Sequence, residues 1–155
     1  MRLWHVDLIH VLPYHQLLGQ WRECCLIAKE WAEYGKPNHV LVNNVIKYPL
    51  VHYIWYCHVV IEEMENREYA ISDLAKERLV KNLERIKESL QLFTLWTEVD
   101  FPIPEGVSIY PNWMNERYLI QCYFNLEEKY DRGAISPVEW DIIDDYVSSR
   151  VEHLL

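Results

Sequence analysis

The residues best suited to covalent chemistry stand in the first two dozen positions, MRLWHVDLIHVLPYHQLLGQWRECC. The α-amine of Met1 has a reference pKa of about 7.7 to 8.0, so part of it is an unprotonated nucleophile at neutral pH. Arg2 and a histidine lie just downstream, ahead of a helix that carries adjacent Arg22 and Glu23. The Glu23 carboxylate is a group that can take and return protons beside such a nucleophile.

The element that must position Glu23 is an amphipathic helix. Leu17, Leu18, Trp21, Cys24, Cys25, Ala28 and Trp31 recur at helical steps and give it one buried stripe, with Arg22 and Glu23 beside it. Gly19 falls one turn before this pair, on the same side. A glycine inside a helix costs about 0.5 to 1 kcal/mol relative to alanine, and here it opens space next to a carboxylate. Adjacent opposite charges on a helix ordinarily do no more than face solvent, and that reading of Arg22 and Glu23 stands beside the catalytic one.

The rest of the chain reads as mostly helical, an all-α bundle with an irregular N-terminal segment. Pro13 suits the start of a helix that runs to about Tyr34 and stops at Gly35, with Pro37 following. HVLVNNVIKY is β-branched and predicts a short strand or an extended link, turning at Asn43 and Asn44. Pro49 opens a second helix to about Glu68. Ser72 and Asp73 begin a third, with Leu74, Leu79, Leu83, Ile86 and Leu90 on its apolar face. Residues 96–112 hold three prolines and Gly106 among aromatics and predict a long ordered loop. Residues 113–129 predict a fourth helix. In the fifth, Ser136 is the N-cap, Pro137 the first helical residue and Glu139 the capping-box partner. No repeat or linker divides the chain, so residues 1–155 are expected to form one domain.

MRLWH, LLGQ and RECC together resemble the phage-type pyrimidine-dimer DNA glycosylases, in a bacterial branch, over about residues 1–70. Residues 71–155 are then a helical extension of that core. The resemblance implies a DNA repair glycosylase with abasic-site lyase activity. In that chemistry the N-terminal amine attacks C1′ of a damaged nucleotide, the base leaves, and the resulting imine undergoes β-elimination. Carried onto this chain, Met1 supplies the amine and Glu23 moves the protons. Arg2, Arg22 and His15 bind substrate, the arginines through phosphate; His15 is one place from the family's histidine, where Gln16 falls. The partner implied is damaged double-stranded DNA, and no metal or organic cofactor is required. The phage members are basic and carry a further arginine one turn after the Arg-Glu pair, whereas this chain has Leu26.

Composition sets a competing expectation. The 155 residues hold 15 Lys+Arg against 24 Asp+Glu, a formal net charge of −9 and a pI near 5.2. Nucleic-acid affinity comes largely from neutralising phosphates, so a uniformly acidic protein is repelled from DNA at long range. The alternative function is therefore a non-catalytic acidic helical module that keeps the family fold and binds a protein partner. The charge is uneven, however: Asp7, Glu23, Glu30 and Glu33 are the carboxylates of residues 1–61, which also hold six of the seven histidines. Seven Trp and eleven Tyr supply either base stacking or, more simply, core.

Other chemistries are disfavoured by spacing. His52 and His58 are six residues apart, not the three or four that share a helix face, and no CxxC accompanies Cys57, so no metal site is expected. Cys24 and Cys25 read as small packing residues. The apolar run 49–61 is too short to cross a bilayer, and the four cysteines show no disulfide framework, so a reduced cytoplasmic setting is expected.

Overall fold

The computed structural model describes residues 2–100 and 102–152. In chain order these form a 3₁₀ helix over Val6–Val11, α1 over Tyr14–Tyr34, a second 3₁₀ helix over Val40–Lys47, and α2 over Leu50–Asn66. α3 over Asp73–Ser89, α4 over Glu116–Asp131 and α5 over Pro137–Arg150 follow. The protein is all-α, with no strand among the described residues.

The ends of these helices follow local chemistry. α1 begins after Pro13 and ends where Gly35 adopts φ 81°, its N–H donating to the Trp31 carbonyl at 2.9 Å. Ser72 caps α3 by accepting the Ala75 N–H at 3.0 Å. At α5 the capping box forms in full. The Ser136 hydroxyl accepts the Glu139 N–H at 3.2 Å, and the Ser136 N–H donates to the Glu139 carboxylate at 3.1 Å.

Three expectations need correction. Residues 40–47 form neither a strand nor an extended link but a 3₁₀ helix. Val42 and Val45 are both fully buried. Three residues per turn put both on one side, whereas the alternation of a strand would have sent them to opposite faces. In α3, Leu79, Leu83 and Ile86 are buried, but Leu74 and Leu90 are about half exposed. They lie in the first turn and just past the last, beyond the part of the helix that meets the core. The N-terminal segment is also more regular than expected, since His5 accepts the Asp7 N–H at 3.1 Å and caps a 3₁₀ helix.

α1 packs against both α2 and α3, α4 pairs with α5, and the first 3₁₀ helix lies against α2 and α5. The buried side chains of these elements form one continuous cluster. The long connection between α3 and α4 is pinned by buried Thr97, Val99, Ile109 and Tyr110. Tyr110 stacks on His52 with ring centres 5.5 Å apart, and its N–H donates to His52 Nδ1 at 3.0 Å.

Residues 2–4 run alongside α1, past Gln20 and Glu23, and are held by their backbone. The Gln20 carboxamide accepts the Trp4 N–H at 2.8 Å and donates to the Arg2 carbonyl at 3.0 Å, as a neighbouring strand would. The Tyr56 hydroxyl donates to the Trp4 carbonyl at 2.6 Å, and the Tyr118 hydroxyl donates to the Leu3 carbonyl. Glu23 Oε2 accepts the Arg2 N–H at 2.7 Å. Gln20, at 1% exposure, is thus a buried polar residue whose partners are the backbone it positions and the Tyr56 hydroxyl, which donates to its Oε1 at 3.0 Å. Replacing it by the similarly shaped leucine strands a buried N–H and a buried carbonyl, each costing about 1 to 3 kcal/mol. Gln20→Leu is expected to lower the unfolding free energy by about 3 kcal/mol in urea titrations, and to speed hydrogen exchange at the Trp4 amide.

Candidate functional site

One face of α1 is polar where the opposite face is apolar. Gln16, Gly19, Gln20 and Glu23 stand three, four and seven residues apart, so they share that face. They floor a cleft of about 410 Å³. Arg2 and Trp4 form one side of it, His15 lies at its α1 end, and His39 and Leu41 reach it from the second 3₁₀ helix and its cap. The far wall is α4 and its cap, through Asn125, Glu128, Lys129 and Arg132. A side chain at Gly19 would begin in open space, so glycine here keeps the floor of the cleft clear beside Glu23.

Of the residues singled out in the sequence, Arg2, His15 and Glu23 are brought together in this cleft. The Arg2 guanidinium lies over the Trp4 ring, 4.9 Å from its centre, which stiffens a long side chain at the cleft wall. Arg22 is exposed on α1 and is not among the residues that line the cleft, because one step along a helix turns it about 100° from Glu23. Leu26, one turn on, is also exposed. Met1 lies outside the described residues.

Sequence reasoning missed Gln16, Gln20, His39 and the α4 residues. The helical spacing of Gln16 and Gln20 to Glu23 was a usable signal, while nothing local marks Lys129 or Arg132. Gln16 has a buried Oε1 with no hydrogen-bond partner. A buried acceptor left unpaired costs about 1 to 3 kcal/mol, which a donor on a ligand in this cleft would recover.

A second cleft, of about 620 Å³, adjoins the first along Leu41. Lys47, Tyr48, Arg117 and Gln121 line it together with three asparagines. Taken together, the described lining residues of the two clefts include five cations, Arg2, Lys47, Arg117, Lys129 and Arg132, against two carboxylates, Glu23 and Glu128. That reverses the excess of acid over base in the whole chain. The acid is concentrated elsewhere, as in the hollow lined by Asp7, Glu62 and Glu63.

The remaining candidates are occupied otherwise. The ring nitrogens of His58 meet the Val99 carbonyl and, at 3.0 Å, the Glu62 carboxylate, while His52 holds the Tyr110 backbone. Among the described residues no three His, Cys, Asp or Glu side chains are grouped as metal ligands would be. All four cysteines are free thiols. Burial pushes Cys24 well above the ordinary thiol range and Cys25 up to about 12.

Residues 1–77 match the protein family described as pyrimidine dimer DNA glycosylase. This N-terminal half belongs to that family. No curated protein matches the chain, and no solved structure does. The glycosylase-family segment covers the floor of the first cleft and the ridge at Leu41, and it ends inside α3. The α4 wall and Arg117 therefore come from the part of the chain beyond the family match. No described helix is long and apolar enough to cross a membrane.

Because thiolate is the reactive form of cysteine, thiols held protonated by burial are poor nucleophiles. At pH 8 iodoacetamide is expected to label the folded protein slowly and all four cysteines quickly once guanidinium unfolds it, as read by intact mass. Fast labelling of Cys25 in the folded chain would make it a candidate nucleophile after all.

Proposed function

We propose that this protein is a DNA repair glycosylase with abasic-site lyase activity, working on damaged double-stranded DNA through the α-amine of Met1. The observation that carries it is the hydrogen bond from the Arg2 N–H to Glu23 Oε2 at 2.7 Å, on the floor of an open cleft. Chain connectivity tethers the amine within one residue of the nitrogen that Glu23 holds. That supports a reading in which an acid-base carboxylate and an amine nucleophile work together.

In this chemistry the amine attacks C1′ of the damaged nucleotide, and the glycosidic bond breaks with its electron pair leaving on the base, which takes up a proton. Opening of the sugar ring gives an imine between the amine nitrogen and C1′. Glu23 removes a proton from C2′, the imine accepts the electron pair, and the 3′ phosphate departs as the C3′–O bond breaks. Water then hydrolyses the imine and frees the amine. Arg2 at the cleft wall and Lys129 and Arg132 opposite it meet phosphates. His15 lies at the cleft mouth, and Arg22, outside the cleft, meets the backbone of the flanking duplex.

The local charge reversal answers the overall charge of −9. Carboxylates more than a Debye length away, about 8 Å at physiological salt, are largely screened, whereas cations lining the cleft act at contact. Binding is accordingly expected to be modest and strongly salt-dependent. Each phosphate neutralised contributes about 0.9 to the slope of log affinity against log salt. Replacing both Lys129 and Arg132 by alanine should weaken binding of a fluorescent abasic duplex and flatten that slope by about 2.

Glu23→Gln keeps an oxygen to accept the Arg2 N–H but removes the base. Strand cleavage at an abasic site should fall by about 10² to 10⁴ while duplex affinity holds. Cleavage at the parent rate would remove Glu23 from the proton transfers. Borohydride should also trap a covalent adduct between the protein and abasic DNA, and prior acetylation of the α-amine should abolish it. An adduct that survives acetylation would move the nucleophile to a lysine. Failure to trap any adduct at any salt concentration would favour the non-catalytic, protein-binding alternative.

A further inference from the structure

The second 3₁₀ helix turns its apolar residues in two directions. Val42 and Val45 are fully buried and anchor it, while Val40 and Leu41, at its leading end, are 85% and 57% exposed. This end is braced. His39 accepts the Leu41 N–H at 3.2 Å, and the Asn38 N–H donates to the Glu30 carboxylate on α1 at 2.8 Å. The Asn43 carboxamide, oriented so that its nitrogen donates, reaches the carbonyls of His39 at 3.0 Å and Pro37 at 2.8 Å. The outcome is an apolar prow braced by hydrogen bonds where the two basic clefts adjoin, with Leu41 lining both.

Two adjoining exposed aliphatic side chains set among five cations make an apolar patch with a charged rim, the pattern of a surface that a partner covers. The surroundings specify that partner's chemistry: anionic on both sides, apolar between. Stacked base pairs flanked by phosphates have that pattern, and apolar side chains wedged into a base step unstack it and bend the duplex. Chemistry at C1′ also requires a nucleotide to leave the stack, which leaves a gap that must be held open.

We propose that Val40 and Leu41 form an intercalating wedge, entering the duplex at the lesion while the first cleft takes the displaced nucleotide and Lys47 and Arg117 in the second cleft hold the phosphates beyond it. This inference rests on the glycosylase function proposed above. It adds what that function does not require: an apolar, sequence-independent device that opens the duplex, distinct from the residues that do the chemistry.

The test is the double substitution Val40→Ser and Leu41→Ser, compared with the unaltered chain on the same abasic oligonucleotide as duplex and as single strand. Both side chains are exposed, so the fold should be retained, as circular dichroism and thermal melting will show. A wedge matters only where there is a stack to open. Cleavage of the duplex should fall by on the order of tenfold or more, and cleavage of the single strand, which also uses the Leu41 side of the first cleft, by much less. A 2-aminopurine next to the abasic site should brighten when the unaltered protein binds and stay dim with the double variant. Leu41→Met, which keeps an apolar tip, should retain most of the duplex rate.

Equal rates for variant and parent on the duplex would overturn the wedge, as would an equal loss on both substrates, which marks a general defect of the cleft. If the unaltered chain dimerises in sedimentation velocity and the double variant does not, the prow is covered by a second copy and the wedge is likewise overturned. Absence of cleavage of either substrate by the unaltered chain would overturn the glycosylase function itself, and the wedge with it. The parent control thus separates that result from a failure of the wedge alone.

Discussion

The structure depends first on how the backbone of residues 2–4 is held. An extended segment that belongs to no sheet has polar groups that burial would leave unpaired, and here Gln20, Tyr56, Tyr118 and Glu23 supply the partners. The four side chains come from α1, α2 and α4, so the segment also ties those helices together. Burying Leu3 and Trp4 beneath it supplies the apolar gain, and the hydrogen bonds fix its register. The same contacts bring Glu23 to the Arg2 nitrogen. Anchorage of the chain's beginning and placement of the candidate acid-base group are therefore one arrangement, and loosening the first would misplace the second.

Electrostatics organise the surface in a complementary way. A chain with far more acid than base sets five of its fifteen lysines and arginines around the two adjoining clefts, against two carboxylates. Glu23 is one of just two carboxylates among the described lining residues of that face. A protein so built is poorly attracted to DNA in general, which suits a function that selects a damaged site through fit to a cleft rather than through bulk charge. The family match ends before α4, yet α4 completes the cleft. Two stretches of sequence with different degrees of kinship thus share one site.

Much of the architecture was legible in the sequence because helix ends are local events. Pro13, Gly35, Pro49, Ser72 and the Ser136 to Glu139 box each act within a turn of themselves, and each marks the boundary where it was read. The segment at residues 40–47 was misread because β-branched residues favour strands on average, while the three-residue spacing of Val42 and Val45 suits a 3₁₀ turn pressed on a core. That core has no trace within the segment itself. Gln20 was passed over for a related reason: a glutamine on the polar face of a helix has meaning only once the backbone it serves is in place.

By itself the sequence determined the all-α class, the boundaries of most helices, the stripe that sets Gln16, Gly19, Gln20 and Glu23 on one side of α1, and the kinship of the N-terminal half. These follow from periodicity, caps and motifs that operate over a few residues. Tertiary structure alone decided that Lys129 and Arg132 line one cleft with Glu23, that exposed Arg22 is not part of its lining, and that exposed Val40 and Leu41 stand where two basic clefts adjoin. Those outcomes come from the packing of helices far apart in the chain, where the angle between two elements is set by the summed shape of many side chains and no single residue announces it.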